Sequence, residues 1–323
     1  MIQILAEILR RRGAGEKLAV CTLVHTRGSC PQRPGAVMLV LENGQTIGTI
    51  GGGCVEAEVK TRAMALLGES RSRLLTFQLD HDLGWDDGLI CGGVMDVAVE
   101  VIDSFAAAAP FQVVHERLSR GDSCQIVTTV PDEKGQTSSF QRQIDPTARL
   151  LIAGAGHVGQ SLARVAQLME FEVTVIDDRA DLLNEKRFPG MRLKLGEIDE
   201  MLGSEPADAN TYIVIVTRGH KHDGSALAAV IAKPARYIGL IGSRRKVLAI
   251  FDELRQAGVS KELQAKVHAP IGLDIGAVTP AEIAVSIAAE LVAVRRGSKI
   301  GAKHSMQIDA KHIDRLFGDS HRS

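Results

Sequence analysis

The stretch LLIAGAGHVG (150–159) constrains the fold of this chain more than any other. An apolar strand runs into a glycine turn and then into the start of a helix. Gly154, Gly156 and Gly159 form GxGxxG, and roughly twenty residues later FEVTVIDD (171–178) reads as a second strand ending in two acids. Each glycine has a task. Gly154 permits the tight turn, Gly156 lets the backbone approach a pyrophosphate, and Gly159 lets the helix pack close to the strand. The helix start offers unpaired N–H groups to an anion. Asp177 or Asp178 is placed to accept hydrogen bonds from a ribose. The alternative is a Rossmann-type unit whose ligand has changed.

The bulk properties narrow the rest. A chain of 323 residues has room for two ordinary domains. A net charge of -1 gives no field that would draw it to nucleic acid or anionic lipid, and 3% aromatic residues argue against stacking platforms for bases. No nucleic-acid partner and no membrane insertion are expected. The opening MIQILAEILRRRGAGEK reads as an amphipathic helix with its cations after the apolar run, the reverse of a secretory signal. The cysteines are Cys21, Cys30, Cys54, Cys91 and Cys124, an odd number with no CxxC, which argues against a disulfide framework and a zinc knuckle. A reduced, cytoplasmic protein is the expectation.

The fold class expected is α/β: an N-terminal α+β domain (1–105), a bridging segment or subdomain (106–148), a Rossmann-like parallel-sheet domain (149–300), and a tail with a short helix (301–323). Within the first part, Asn43-Gly44 predicts a hairpin turn. Then Gly51, Gly52 and Gly53 precede Cys54, Val55 and Glu56, and a helix follows with the apolar stripe Val55, Val59, Ala63 and Leu66. Three glycines in a row cost conformational entropy, so something needs close or left-handed backbone there. Cys54 falls at the positive end of the helix, where a thiolate is stabilised. It is a candidate nucleophile or soft-metal ligand; the alternative is a small residue packed under a glycine turn. A second glycine-flanked cysteine, Cys91, ends the loop HDLGWDDGLICGG (81–93). If the two loops meet, Cys54, Cys91, Glu56, Trp85 and Asp86 share a wide polar pocket suited to a large anion.

In the middle, 106–110 reads as a turn or helix end, a helix starts at 111, and 137–147 reads as irregular. In the C-terminal part, 182–187 reads as a short helix. The run TYIVIVTRGHKHD (211–223) reads as a buried strand with a polar tip, placing Thr217, Arg218, His220, His222 and Asp223 at the ligand crevice with His157. His157, His220, His222 and Asp223 form a candidate metal or acid–base group, with His220, His222 and Asp223 as the metal candidates; the alternatives are a set of anion or cofactor contacts and solvated histidines. Ser243, Arg244, Arg245 and Lys246 put a hydroxyl and three cations at a helix start, an arrangement for phosphate. Thr279, Pro280 and Glu282 carry the signals of a helix N-terminus.

The motifs GGGCVE (51–56), CGG (91–93), GAGHVG (154–159), TRGHKHD (217–223), YIGLIGSRRK (237–246) and PIGLDIGAVTPAEIAVSIAAEL (270–291) together resemble the XdhC/CoxI family, over nearly the whole chain. The resemblance implies an accessory protein for xanthine dehydrogenase and related molybdenum hydroxylases. Such a protein binds the molybdenum cofactor (molybdopterin), assists its sulfuration and delivers it to the apo-enzyme. It also implies a cysteine that holds the cofactor, a role falling on Cys54 with Cys91 second. The implied partners are the hydroxylase, a cysteine desulfurase and a second copy of the chain in a homodimer. The ligand of the Rossmann-like domain stays open between the cofactor's phosphate or nucleotide and NAD(P) or another nucleotide. Two other functions stay open beside the chaperone: an NAD(P)-dependent oxidoreductase and a nucleotide-sensing regulatory protein. Against the oxidoreductase, the sequence has no Tyr-x-x-x-Lys pair.

Overall fold

A computed structural model describes residues 1–79, 93–298, 306–308 and 312–315; the side chains of residues 220 and 221 lie outside the described set. The chain divides into two units, Met1–Pro146 and Thr147–Ser323.

In the first unit the elements are α1 (Ile2–Gly13), β1 (Leu18–Arg27), β2 (Val37–Leu41), β3 (Thr46–Thr49), α2 (Gly53–Glu69), β4 (Arg73–Gln78), β5 (Val94–Ile102), α3 (Phe105–Ser119), β6 (Cys124–Pro131) and β7 (Thr137–Ile144). Five strands form an antiparallel sheet in the order β3-β2-β1-β5-β4. Its central strands are covered on both faces. Ala19, Cys21 and Leu23 of β1 join Val55, Val59 and Ala63 of α2 in one core, whereas Leu18 and Val20 join Leu5 and Ile8 of α1 and Phe111 and Val114 of α3 in another. This is why β1 and β2 read as continuous apolar runs and not as alternating ones. β6 and β7 form a separate antiparallel hairpin.

Two sequence expectations in this unit are corrected. Residues 106–110 are not a turn but the opening of α3, capped by the Ser104 hydroxyl, which accepts from the Ala107 amide at 3.2 Å. Pro110 lies inside the helix near its start, where it forfeits one backbone bond. Residues 137–144 are not irregular but strand β7. Its hairpin is closed by Asp132, whose Oδ1 accepts from the amides of Lys134 at 2.9 Å and Gln136 at 2.8 Å. A mostly polar strand forms there because the turn sets the register and only Ile144 among its residues is buried.

The second unit holds β8 (Arg149–Ala153), α4 (His157–Leu168), β9 (Glu172–Asp177), β10 (Arg192–Leu195), α5 (Ile198–Ser204), β11 (Thr211–Ile215), α6 (His220–Val230), β12 (Tyr237–Leu240), α7 (Arg244–Gln256), α8 (Lys261–Ala265) and α9 (Pro280–Arg295). The sheet is parallel, in the order β10-β9-β8-β11-β12. Side chains alternate across it. Leu150 and Ile152 of β8 pack with α4 and α9, while Leu151 and Ala153 pack with α5, α6 and α7. The order reverses between β8 and β11, and ligands of such sheets sit beyond the carboxyl ends of the strands at that point. The fold is therefore an N-terminal α+β unit followed by a Rossmann-like parallel-sheet unit.

Here too two expectations change. Residues 182–187 form turns and no helix, because the Asn184 side chain accepts from the Arg187 amide at 3.1 Å and Glu185 accepts from the Gly190 amide at 2.8 Å. The HKHD of 220–223 is not a strand tip but the first turn of α6. The start of α9 matches expectation: Thr279 caps it, Pro280 is its first residue, and Glu282 closes a capping box. Residues 312–315 are helical, while the remainder of the helix expected in the tail lies outside the described residues. No helix among the described residues is long and apolar enough to cross a membrane.

Candidate functional sites, one in each unit

In the first unit, the connections after β1, after β3 and before β5 leave the sheet at one end, since Arg27 pairs with Val94 and Val37 with Thr49. The segment after β1 lies against the glycine turn. Gly51 and Gly52 have φ of 84° and 80°. A Cβ on Gly51 would stand 2.7 Å from Gln32 Cβ, and one on Gly52 would stand 3.3 Å from Pro31 Cγ. Close approach and left-handed backbone thus explain two of the three glycines. At Gly53 a Cβ would meet nothing within 4 Å, so the start of α2 is open. Cys54 sits in that first turn, half-buried.

Glu56 points back into the turn. Its Oε1 accepts from the amides of Ile50 at 3.1 Å and Gly51 at 3.2 Å and from the Thr49 hydroxyl. It holds the shape of the GGGC turn, where the sequence alone suggests a ligand contact. Cys21 is wholly buried and burial pushes its thiol up to about 12, so it is inert; Cys124 is also buried. Cys91, Trp85 and Asp86 lie outside the described residues. Cys30, which sequence reasoning does not single out, is half-buried at the base of the same end, its Sγ 3.4 Å from the carbonyl oxygens of Arg27 and Val94. Its signal in the sequence is a cysteine framed by Gly28 and Pro31.

In the second unit the three glycines of GAGHVG divide cleanly. A Cβ on Gly154 would overlap the Val216 carbonyl, and one on Gly159 the Gly154 carbonyl; Gly156 meets nothing within 4 Å. The first two serve packing, and the third leaves the helix start clear. His157 is the exposed first residue of α4.

Asp177 is not presented to a ligand. It is fully buried, and its Oδ2 accepts from the Ala155 amide at 2.6 Å and from Arg179 Nη2 at 2.8 Å, while Oδ1 accepts from Arg179 Nε at 2.8 Å and its amide at 3.0 Å. Burial raises its pKa, but these hydrogen bonds outweigh burial and hold the carboxyl at about 2. Asp178 is paired with Arg218 at 3.0 Å.

The other crevice residues are also engaged. Asp223, fully buried, accepts from the Thr217 hydroxyl and pairs with Lys246 Nζ. His222 is half-buried in the same turn, and the side chain of His220 lies outside the described set. Among the described residues no three His, Cys, Asp or Glu side chains are grouped as a metal ion would require. Ser243 caps α7, accepting from the Lys246 amide at 3.3 Å, and Arg244 and Arg245 are exposed in its first turn. Arg187, which the sequence does not mark, donates to the Ala155 carbonyl and to Gln160 Oε1, both at 3.0 Å, and so joins the glycine turn. The turn is thus braced by an acid on its amide and a cation on its carbonyl.

These motifs recur in known proteins. Residues 150–291 match the XdhC Rossmann domain, and residues 11–78 match the XdhC and CoxI family. The chain is 32% identical over 288 residues to the uncharacterized protein YqeB of Escherichia coli K12, covering 88% of this chain but only 44% of that protein. It therefore spans less than half of YqeB. It is 28% identical to a probable subunit of xanthine dehydrogenase from Bacillus subtilis 168, covering 87% and 94% of the two chains. It is 25% identical to the molybdenum cofactor insertion chaperone PaoD of E. coli K12, covering 87% and 85%. A crystal structure of a xanthine dehydrogenase from Bacillus halodurans shares the fold, with a TM-score of 0.81 at 24% identity over 93% of this chain and 97% of that one. Matches in both units and relatives that span both place the chain in the XdhC/CoxI family, related to the xanthine dehydrogenase accessory proteins.

Proposed function

We propose that this chain is a maturation factor for a xanthine dehydrogenase-type molybdenum hydroxylase: it binds the molybdenum cofactor, holds it during sulfuration and hands it to the apo-enzyme. The observation that carries this reading is Cys54, half-buried in the first turn of α2 beside the open position at Gly53. A thiol there suits a thiophilic metal centre, and amides at a helix start suit an anionic group. Family membership and likeness to a cofactor-insertion chaperone support it. In this reading Cys54 holds the metal centre and Cys91 assists. Gly53 keeps the approach clear, Gly51 and Gly52 set the left-handed turn, and Glu56 keeps it in shape.

The Rossmann-like unit takes an anionic ligand of its own, a phosphate or a nucleotide. Gly156, His157, Ser243, Arg244 and Arg245 would face it, and Gly154 and Gly159 would hold the turn. Asp177, saturated by Arg179 and Ala155, does not serve a ribose, which weighs against NAD(P) bound in the usual way and against a dehydrogenase. His220 and His222 contact the ligand only as second choices, since Asp223 already pairs with Lys246. A cysteine desulfurase as sulfur donor, the hydroxylase as recipient, a homodimer and a cytoplasmic location complete the proposal.

The test is anaerobic cofactor binding by the purified apo-protein, with molybdenum and pterin quantified together, for the unaltered chain, Cys54→Ala and Cys91→Ala. Stoichiometric binding that is lost in Cys54→Ala supports the reading. No binding by the unaltered chain overturns it.

A further inference from the structure

In the Rossmann-like unit the glycine turn has a neighbouring strand end on either side. The Gly154 amide donates to the Ile176 carbonyl at 2.8 Å, and the Val216 amide donates to the Ala153 carbonyl at 2.8 Å. β8 therefore ends between β9 and β11, as the sheet order requires. Asp178 and Arg218 each follow two residues after those contacts, on opposite sides of the turn. Their side chains meet, Arg218 Nη2 donating to Asp178 Oδ2 at 3.0 Å. Strands in a sheet lie about 4.8 Å apart, so the pair spans about two strand spacings and crosses the carboxyl end of β8. A ligand laid across the turn from β9 to β11 takes the same path.

The arginines around this turn are not equivalent. Arg179 holds buried Asp177 with a fork of two hydrogen bonds, and Arg187 is engaged by the Ala155 carbonyl and Gln160. Arg218 is more than half exposed and reaches Asp178 through one nitrogen and one oxygen. An exposed pair of this kind is weak, and its release leaves Asp178 with Arg179 Nε at 3.7 Å. The backbone beneath Arg218 stays fixed, because buried Asp223 accepts from the Thr217 hydroxyl. A terminal phosphate offers the guanidinium more charge than one carboxylate and can accept two hydrogen bonds from its fork. We propose that Asp178 and Arg218 form an exchangeable clasp over the glycine turn: Arg218 leaves Asp178 for a phosphate of the bound ligand, and Asp178 competes with that ligand for the guanidinium. This rests on the reading that the Rossmann-like unit takes a phosphate or a nucleotide, and it adds the residue that closes on the phosphate and the one that opposes it.

Calorimetric titration with inorganic pyrophosphate and with ADP tests the clasp without any molybdenum cofactor, so its outcome is separate from that of the cofactor assay. Both residues lie outside the strands and helices, and their substitution leaves the fold in place. Arg218→Ala should bind the probes about tenfold more weakly, the loss expected for one charged donor. Asp178→Asn should bind them about threefold more tightly, since a competing exposed ion pair is gone. The double variant separates exchange from simple charge. Removal of a nearby negative charge tightens anion binding with or without Arg218, whereas exchange requires the gain to vanish once Arg218 is alanine. Unchanged affinity in Arg218→Ala, no gain in Asp178→Asn, or a gain that survives in the double variant overturns the clasp and leaves the anion reading standing. Binding of neither probe by the unaltered chain or by Asp178→Asn overturns the clasp and the anion reading together.

Discussion

The carboxylate of Asp177 holds the amide of Ala155 at 2.6 Å, so the acid that ends β9 fastens the glycine turn that follows β8. The same carboxylate takes a fork of two hydrogen bonds from Arg179. In a dinucleotide-binding site an acid in this region of the sequence reaches out to a ribose; here it turns inward and braces the fold.

Asp177→Asn therefore destabilises the Rossmann-like unit by about 2 kcal/mol at neutral pH, because Arg179 loses its buried counter-charge. The pH dependence has a definite sign. A carboxyl held at about 2, below its unfolded value, contributes stability that is complete above about pH 4 and fades as pH falls toward 2. Urea unfolding from pH 2 to 7 should show this acid loss in the unaltered chain and a smaller one in Asp177→Asn. An equal loss in both would remove Asp177 from the account.

Gly156 and Gly159 separate ligand approach from packing. Gly159→Ala forces a methyl onto the Gly154 carbonyl, a backbone clash that costs several kcal/mol and leaves the unit poorly folded. At Gly156 φ is -68° and the space is open, so Gly156→Ala folds within about 0.5 kcal/mol of the unaltered chain. It should nevertheless weaken whatever anion the turn receives, because the methyl occupies the approach. Thermal unfolding with and without inorganic phosphate or a nucleotide reads both effects. A Gly156→Ala chain that keeps full ligand stabilisation would place the anion elsewhere.

The strand–glycine–helix run at 150–159 was legible because its spacing has few other solutions, and α9 because Thr279, Pro280 and Glu282 each supply a separate signal of a helix start. Other parts were hidden by tertiary effects. Asp177 reads as a ribose acid until Arg179, two residues on, is seen folding back on it. Glu56 reads as a ligand contact, and only the left-handed turn brings the amides of Ile50 and Gly51 to its carboxylate. β7 has a polar sequence that nothing local marks as a strand; its pairing with β6 decides it. Cys30 could not be assigned a neighbour because Gly93 and Val94, against which its sulfur lies, are distant in the chain.

A second pH-dependent group sits in the first unit. Burial raises Glu100 on β5 to about 7, against the opposing hydrogen bond from the Thr128 hydroxyl at 3.0 Å and the charge of Arg142. With a folded value above the unfolded one, the folded state binds the extra proton, so stability falls as pH rises from about 4.5 to 7 and stays lower above it. Glu100→Gln keeps a neutral acceptor for Thr128 and removes this dependence. The difference in unfolding free energy between the two chains should shift toward Glu100→Gln by about 1–3 kcal/mol between pH 5 and 8. A pH-independent difference would show that Glu100 stays ionised throughout.

Arg142 joins that group to the thiol end of the sheet. Its side chain is largely buried, its Nε has no partner among the described atoms, and its Nη1 is spent on the Gly35 carbonyl. Gly35, with φ of 102°, ends the segment that follows Cys30 and sets Pro31 and Gln32 against the glycine turn. The hairpin of β6 and β7 thus holds the wall of the site through one guanidinium. A hydrogen bond from a charged donor contributes about 1.5 kcal/mol, so Arg142→Ala should raise the open population of this segment about tenfold. Iodoacetamide labelling of Cys30, followed by peptide mass analysis, should accelerate by that factor while the labelling of Cys124, in the core on the hairpin itself, sets the rate of general unfolding. Equal acceleration at both cysteines would mean that Arg142 only stabilises the unit; acceleration at Cys30 alone would make it the residue that positions the loop.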